Sequence, residues 1–221
     1  MQEAAAFLRE HFQREKEKKR LGYRQMNRYA RRGQTLMTGS SLMEQFPVTE
    51  FSMNEGLGIV YNRGIGGYTT DEFLEAVDDV LLDLEPSKLF INIGTNDIRK
   101  WPDEDWYTHL KRNYGKICGI IRDRLGSAQV YMLAYYPVNP FVPGARKNPG
   151  LEVRTPEALE RANGLVRELA EAHGFRYLDV NDGLKDERGC LKGEYTSDGM
   201  HFEPELYYTV FERLRPYLKQ A

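Results

Sequence analysis

The sequence predicts an α/β protein built on a five-stranded parallel sheet with helices on both faces. Three observations lead there. Five short apolar runs, at 34–37, 58–62, 89–93, 129–134 and 175–180, are separated by segments whose apolar residues recur at helical spacing. Strands that alternate with helices join as parallel crossovers, and the crossover helices cover both faces of the sheet. The chain has 221 residues, 41% of them apolar, enough for one such domain with a sizeable core.

Residues 3–31 read as a charged helix, free of proline, that Gly33 closes. Phe7, Leu8 and Phe12 give it one weak apolar face, and Leu21, Tyr23, Met26 and Tyr29 a second. Residues 1–32 carry ten Lys or Arg against four Glu, a net of +6, which leaves −8 on the rest of a chain whose total is −2. The expected organisation is a basic helical extension, 1–32, before a single domain, 33–221. A basic arm can meet nucleic acid or an anionic membrane. Glu3, Glu10, Glu15 and Glu17 interrupt this one, which favours packing on the chain's own acidic domain or on a second copy. No nucleic-acid partner is expected; a homo-oligomer through the extension is.

The first strand, 34–37, and the second, 58–62, precede a helix that Thr70 caps, with Asp71 and Glu72 in its first turn. Phe73, Val77, Leu81 and Leu84 mark its buried face and Pro86 its end. The third strand is 89–93. A long helix over 102–125 follows, with Trp106, Leu110, Tyr114, Ile117 and Ile121 on one side. After the fourth strand, 129–134, Thr155-Pro156-Glu157 starts a helix that Gly174 stops. The fifth strand is 175–180, and a last helix begins near Pro204.

Ligands of parallel sheets gather at the carboxyl ends of the strands, so chemistry is expected in the loops there. The first strand ends in Gly39-Ser40-Ser41, the second in Asn62-Arg63-Gly64-Ile65-Gly66-Gly67, and the third in Gly94-Thr95-Asn96-Asp97. The loop after the fifth contains Asp198-Gly199-Met200-His201. A hydroxyl, a glycine-rich source of amides, a carboxamide, and a carboxylate three residues before an imidazole are the parts of acyl transfer. Each also has a plainer reading: Ser41 as a helix cap, the glycines as a tight turn, Asn96 and Asp97 as loop-bonding residues, Asp198 and His201 as a surface cap.

In this order the four blocks resemble those of the SGNH hydrolases, also called GDSL esterases, and look particularly like the platelet-activating-factor acetylhydrolase catalytic-subunit branch. The resemblance covers about residues 34–215. It implies a three-layer, flavodoxin-like α/β/α fold and a serine esterase in which Ser41 is the nucleophile and His201 and Asp198 are base and acid. The amides of Ser41 and Gly67 and the side chain of Asn96 would form the oxyanion hole. The family's usual Asp between Gly and Ser is Ser40 here, expected to bond within the loop.

No cofactor or metal is implied, since no two His or Cys residues have ligand spacing. His109, inside the long helix, reads as an exposed or packed helix residue, and His173 as a helix-end cation. Cys118 and Cys190 read as reduced thiols. With no apolar run approaching the roughly 18–20 residues of a membrane span and no leader pattern, the expectation is a cytoplasmic protein acting on a small-molecule ester. The aromatic and proline-rich stretch Tyr135–Pro143 reads equally as a wall of the acceptor side or as a rigid packing loop. No lid-like insertion is present, so the acyl group should be small, acetyl most simply, on a polar acceptor such as a sugar. A thioesterase or lysophospholipase would use the same residues, and a catalytically silent module would keep the fold alone. A dinucleotide-binding domain fails where Gly64-x-Gly66 reaches Thr69 rather than a third small residue.

Overall fold

A computed structural model describes residues 2–219, with side chains from Ala6 onward. The chain runs α1 (Gln2–Asn27), β1 (Thr35–Gly39), α2 (Ser41–Glu44), α3 (Val48–Asn54), β2 (Val60–Asn62), α4 (Thr70–Glu75), α5 (Val77–Val80) and β3 (Lys88–Asn92). It continues through α6 (Trp106–Arg124), β4 (Gln129–Leu133), α7 (Pro156–His173), β5 (Arg176–Leu178) and α8 (Pro204–Lys219). The five strands are all parallel, in the order β2-β1-β3-β4-β5. This is the flavodoxin-like order, whose switch point lies between β1 and β3. The register Thr35↔Lys88 to Gly39↔Asn92 joins those two strands along their whole length.

Side chains alternate between two cores. Leu36, Leu89, Ile91, Val130 and Met132 face the layer of α4, α5, α6 and α7. Met37, Phe90, Tyr131 and Leu133 face α2, α3 and α8. All five residues of β3 are buried, as the central strand of a sheet covered on both faces requires.

Several boundaries differ from the sequence expectation for physical reasons. The helix expected over 70–84 is broken into α4, α5 and a 3-10 turn at Leu82–Leu84. Val80, Leu81, Leu82 and Leu84 are all buried, and successive apolar residues cannot share one face of a regular helix, so the helix gives way. Thr69, not Thr70, caps α4: it accepts from the Glu72 amide and Glu72 answers at its own, a capping box. Asp105 caps α6 by accepting from Tyr107 and Thr108, so that helix starts at Trp106 rather than Pro102. Thr155 and Gly174 do bound α7.

The N-terminal helix ends at Asn27 instead of running to 31, because Asn27 turns inward to the Asp79 carbonyl and to Arg63, and the chain turns after it. Docking of α1 is electrostatic. Arg20 and Arg24 both pair with Asp79 at 2.7 Å, Lys16 pairs with Glu72 at 2.7 Å, and Lys19 pairs with Glu44. Of the second expected apolar face only Tyr23 packs on the core; Leu21, Met26 and Tyr29 are exposed. Phe7, Leu8 and Phe12 are exposed as well. Burial disfavours the Asp79 carboxylate, yet the two guanidiniums outweigh that and hold its pKa below the ordinary value.

Candidate active site

At the end of β1 the backbone makes a turn that only glycine allows. Gly39 has φ +148, and a Cβ there would sit 1.9 Å from the Asn92 carbonyl oxygen. Ser40 follows at the cap position of α2, and its N–H donates to that same carbonyl at 3.2 Å. The Ser40 side chain is buried and makes no capping bond. Its backbone, not its hydroxyl, does the loop bonding expected of it. Ser41 is the first residue of α2 rather than its cap, and its hydroxyl meets His201.

Ser41 Oγ lies 3.0 Å from His201 Nε2, and His201 Nδ1 lies 2.6 Å from Asp198 Oδ2. The other Asp198 oxygen accepts from the amides of Met200 and His201, both at 2.8 Å. Partial burial raises the Asp198 pKa, but these donors outweigh it and hold the carboxyl below its usual range. An ionised carboxylate bonded at Nδ1 fixes the ring so that Nε2 faces the hydroxyl.

The glycine loop after β2 is held from two sides. Gly66 N–H donates to the Glu44 carboxylate of α2. From α1, Tyr23 donates to the Gly64 carbonyl at 2.9 Å and Lys16 Nζ to the Gly67 carbonyl at 3.0 Å. Gly67 itself is left-handed, with φ +73. Asn96, beyond β3, gives one Nδ2 hydrogen to the Tyr68 carbonyl at 2.9 Å, which orients the carboxamide and leaves a second hydrogen to donate. The structure therefore brings all five expected residues, Ser41, Gly67, Asn96, Asp198 and His201, to the carboxyl edge of the sheet at its switch point.

The GDSL-like lipase/acylhydrolase family model matches residues 45–208. The chain belongs to this family. The matched span contains Gly67, Asn96, Asp198 and His201 and begins just past Ser41. The acylhydrolase is 30% identical over 179 residues to the N-acylneuraminate cytidylyltransferase of Escherichia coli O18:K1:H7, a match over 80% of this chain but 38% of that protein. Among solved structures it resembles a protein from Streptococcus pneumonia described as a candidate platelet activating factor, with a TM-score of 0.87 and 29% identity over 99% of both chains. It shares its fold with the acetylxylan esterase Axe2 of Geobacillus stearothermophilus, with a TM-score of 0.63 and 13% identity over 87% of this chain and 96% of that one. The acylhydrolase is thus a carboxylic ester hydrolase with the SGNH fold. No described helix is long and apolar enough to cross a membrane.

Other residues around the acylhydrolase site were not visible as partners in the sequence. Asp97 is fully buried and accepts from the Thr70 backbone N–H at 3.0 Å and from the Thr70 hydroxyl, tying the Asn96 loop to the start of α4. Burial pushes its carboxyl up to about 6, although the Thr70 bonds pull the other way. His109 is not an exposed helix residue. It is buried between Asp71 at 2.7 Å and Glu104 at 2.8 Å and stacks on Trp101 with ring centroids 3.6 Å apart. Asp71, Asp97 and His109 converge within 4.8 Å, a grouping that spacing hides because three separate segments supply it. His173 sits at the helix end as expected, bonded to the Leu169 carbonyl. Both cysteines are free and buried.

The stretch Tyr135–Pro143 matches the packing-loop reading: Tyr135 to Asn139 are buried, Tyr135 donates to the Ile93 carbonyl, and Phe141 lines a separate cleft. Two clefts flank Gly67, divided by Lys16. One of about 510 Å³ includes Phe12, Ile65 and Gly66. The other, about 430 Å³, includes Gly67, Asn96, Arg99 and Arg154.

Proposed function

We propose that this acylhydrolase cleaves small acyl esters, acetyl foremost, from polar acceptors such as sugars, with Ser41 as nucleophile. The continuous contact from Asp198 through His201 to Ser41, at 2.6 and 3.0 Å, carries the reading. His201 Nε2 takes the Ser41 proton as Oγ attacks the ester carbonyl, and Asp198 stabilises the resulting imidazolium. The oxyanion is received by the amides of Ser41 and Gly67 and by the free hydrogen of Asn96 Nδ2. His201 then passes its proton to the leaving alcohol, and water repeats the sequence to release the acid.

Two observations support a small acyl group and a polar acceptor. The cleft containing Gly67 and Asn96 is walled by charged and polar side chains, which would hold a hydroxyl-rich group better than an alkyl chain. The relatives point the same way, one being named for N-acylneuraminate and another for acetylxylan.

Acetyl release from a panel of O-acetylated sugars, alongside p-nitrophenyl esters of rising chain length, tests the proposal. Turnover should fall steeply from acetyl to octanoyl. Equal turnover across the series would overturn the small-acyl reading, and failure of a fluorophosphonate to label Ser41 would overturn the nucleophile.

A further inference from the structure

The cleft beside the oxyanion donors holds two arginines with no counter-ion. Arg99 stands with its Cζ 4.0 Å from the centre of the Trp101 ring. It is held by stacking, so its N–H donors are unspent. Arg154 is half-buried, and its Nε is shut off from solvent with no hydrogen-bond partner. Its Nη1 donates only to the Met200 sulfur at 3.2 Å, a weak acceptor. The guanidinium lies against the backbone at Gly150, where a Cβ would come within 2.6 Å of Nη1. Burial lowers the Arg154 pKa to about 10, with neighbouring Arg99 adding to the effect and Asp97 opposing it.

The acidic groups nearby are already committed. Glu72 is paired with Lys16. Asp71 accepts from Asn113 and meets His109 Nε2. Asp97 is bonded to Thr70. None of the described carboxylates forms an ion pair with Arg99 or Arg154. The Arg154 guanidinium, partly withdrawn from water without an anion, is unfavourable, and the like charge of the exposed Arg99 beside it adds to the cost. A planar anion between them supplies what is missing, with the paired geometry that arginine offers a carboxylate. Because Asp71 and Glu72 line the same cleft, a monoanion suits it better than a dianion.

We propose that Arg99 and Arg154 form a carboxylate subsite for the leaving alcohol, so that the preferred substrates are acetyl esters of sugar acids. This rests on the esterase reading and names its acceptor. Asn96 and Gly67 line the same cleft, so an acid bound there presents its ester to the oxyanion donors. A volume of about 430 Å³ admits a single hexuronic acid.

The test compares kcat/KM for an O-acetylated hexuronic acid and for its carboxyl methyl ester, which differ only in charge. The wild-type ratio should favour the acid by at least about tenfold, the scale of one charge-assisted bond. In Arg154→Gln and in Arg99→Gln it should fall towards one, and Arg154→Lys should recover part of it. The ratio is taken within each protein, so a loss of folded enzyme does not move it. A wild-type ratio of one, or variants that keep the wild-type ratio, overturns the subsite. If the wild type hydrolyses neither ester, the esterase reading fails on its own. Calorimetric titration with the free hexuronate and its methyl ester then decides the subsite: selective binding of the free acid supports it, and equal or no binding overturns it.

Discussion

The two sides of the reaction centre are built in opposite ways. On one side, Ser41 sits on a glycine turn, and Asp198 and His201 share a single turn of chain whose bonds are nearly all local. On the other, Gly67 and Asn96 owe their positions to distant segments. Lys16, 51 residues away, holds the Gly67 carbonyl. Tyr68, 28 residues away, holds Asn96, and Thr70, 27 residues away, holds Asp97. The groups proposed to move protons are held by their own loops, whereas the proposed oxyanion donors depend on how α1, the β2–α4 loop and the β3 loop assemble.

The sharpest break between the sides is chemical. Ser41→Ala should lower kcat by about 10⁶-fold, as loss of a nucleophile does, and abolish acyl-enzyme formation in a burst assay. Ser40→Ala, which removes one buried oxygen but no capping bond, should stay within about twofold of wild type. Full activity in Ser41→Ala would reverse the comparison. On the oxyanion side, Asn96→Ala should cost about 10²–10³-fold in kcat with KM little changed, the usual price of one such donor.

Asp97 tests how the oxyanion side is braced. Its folded pKa of about 6 lies above the ordinary value of 3.8, so the folded protein binds a proton that the unfolded chain gives up between those values. Stability therefore falls as pH rises through that window, by roughly 2–3 kcal/mol for a shift of this size. Asp97→Asn should flatten that fall, read as Tm or urea midpoint at pH 4.5 and 7.5. An undiminished slope would place the effect elsewhere. A milder loss belongs to the helix: Lys16→Met should cost about tenfold in kcat, below the roughly 10²-fold that an ångström of misplacement can cost. Arg20 and Arg24 would still dock α1. An unchanged kcat would show that the Gly67 peptide holds its orientation unaided.

The same contrast explains what the sequence made legible. The five strands, the helix bounds at Thr155 and Gly174, and the candidate residues Ser41, Asp198 and His201 could be read because each has a local signature: a run, a turn or a fixed spacing. The broken helix after Thr69 could not, since the break serves a packing demand made by other elements on Val80 to Leu84. Nor could the burial of His109, whose two carboxylates come from Asp71 and Glu104, or the bare arginines beside Asn96. The choice between the two readings of Tyr135–Pro143 was hidden for the same reason, because aromatic and proline content does not say that Tyr135 is anchored inward on Ile93.

The pairing of Gly39 with Asn92 has an evolutionary consequence. Ser41 lies two residues past one partner and Asn96 four past the other, on adjoining strands. An insertion of one residue in β1 or β3 would slide nucleophile and carboxamide apart by about 3.3 Å and turn every following side chain to the opposite face. Length change in 140–152 leaves that spacing alone while reshaping the backbone against which Arg154 lies. Lineages descending from such a chain can gain or lose residues there and alter their diet of esters, while the stretch from 35 to 39 must keep its count.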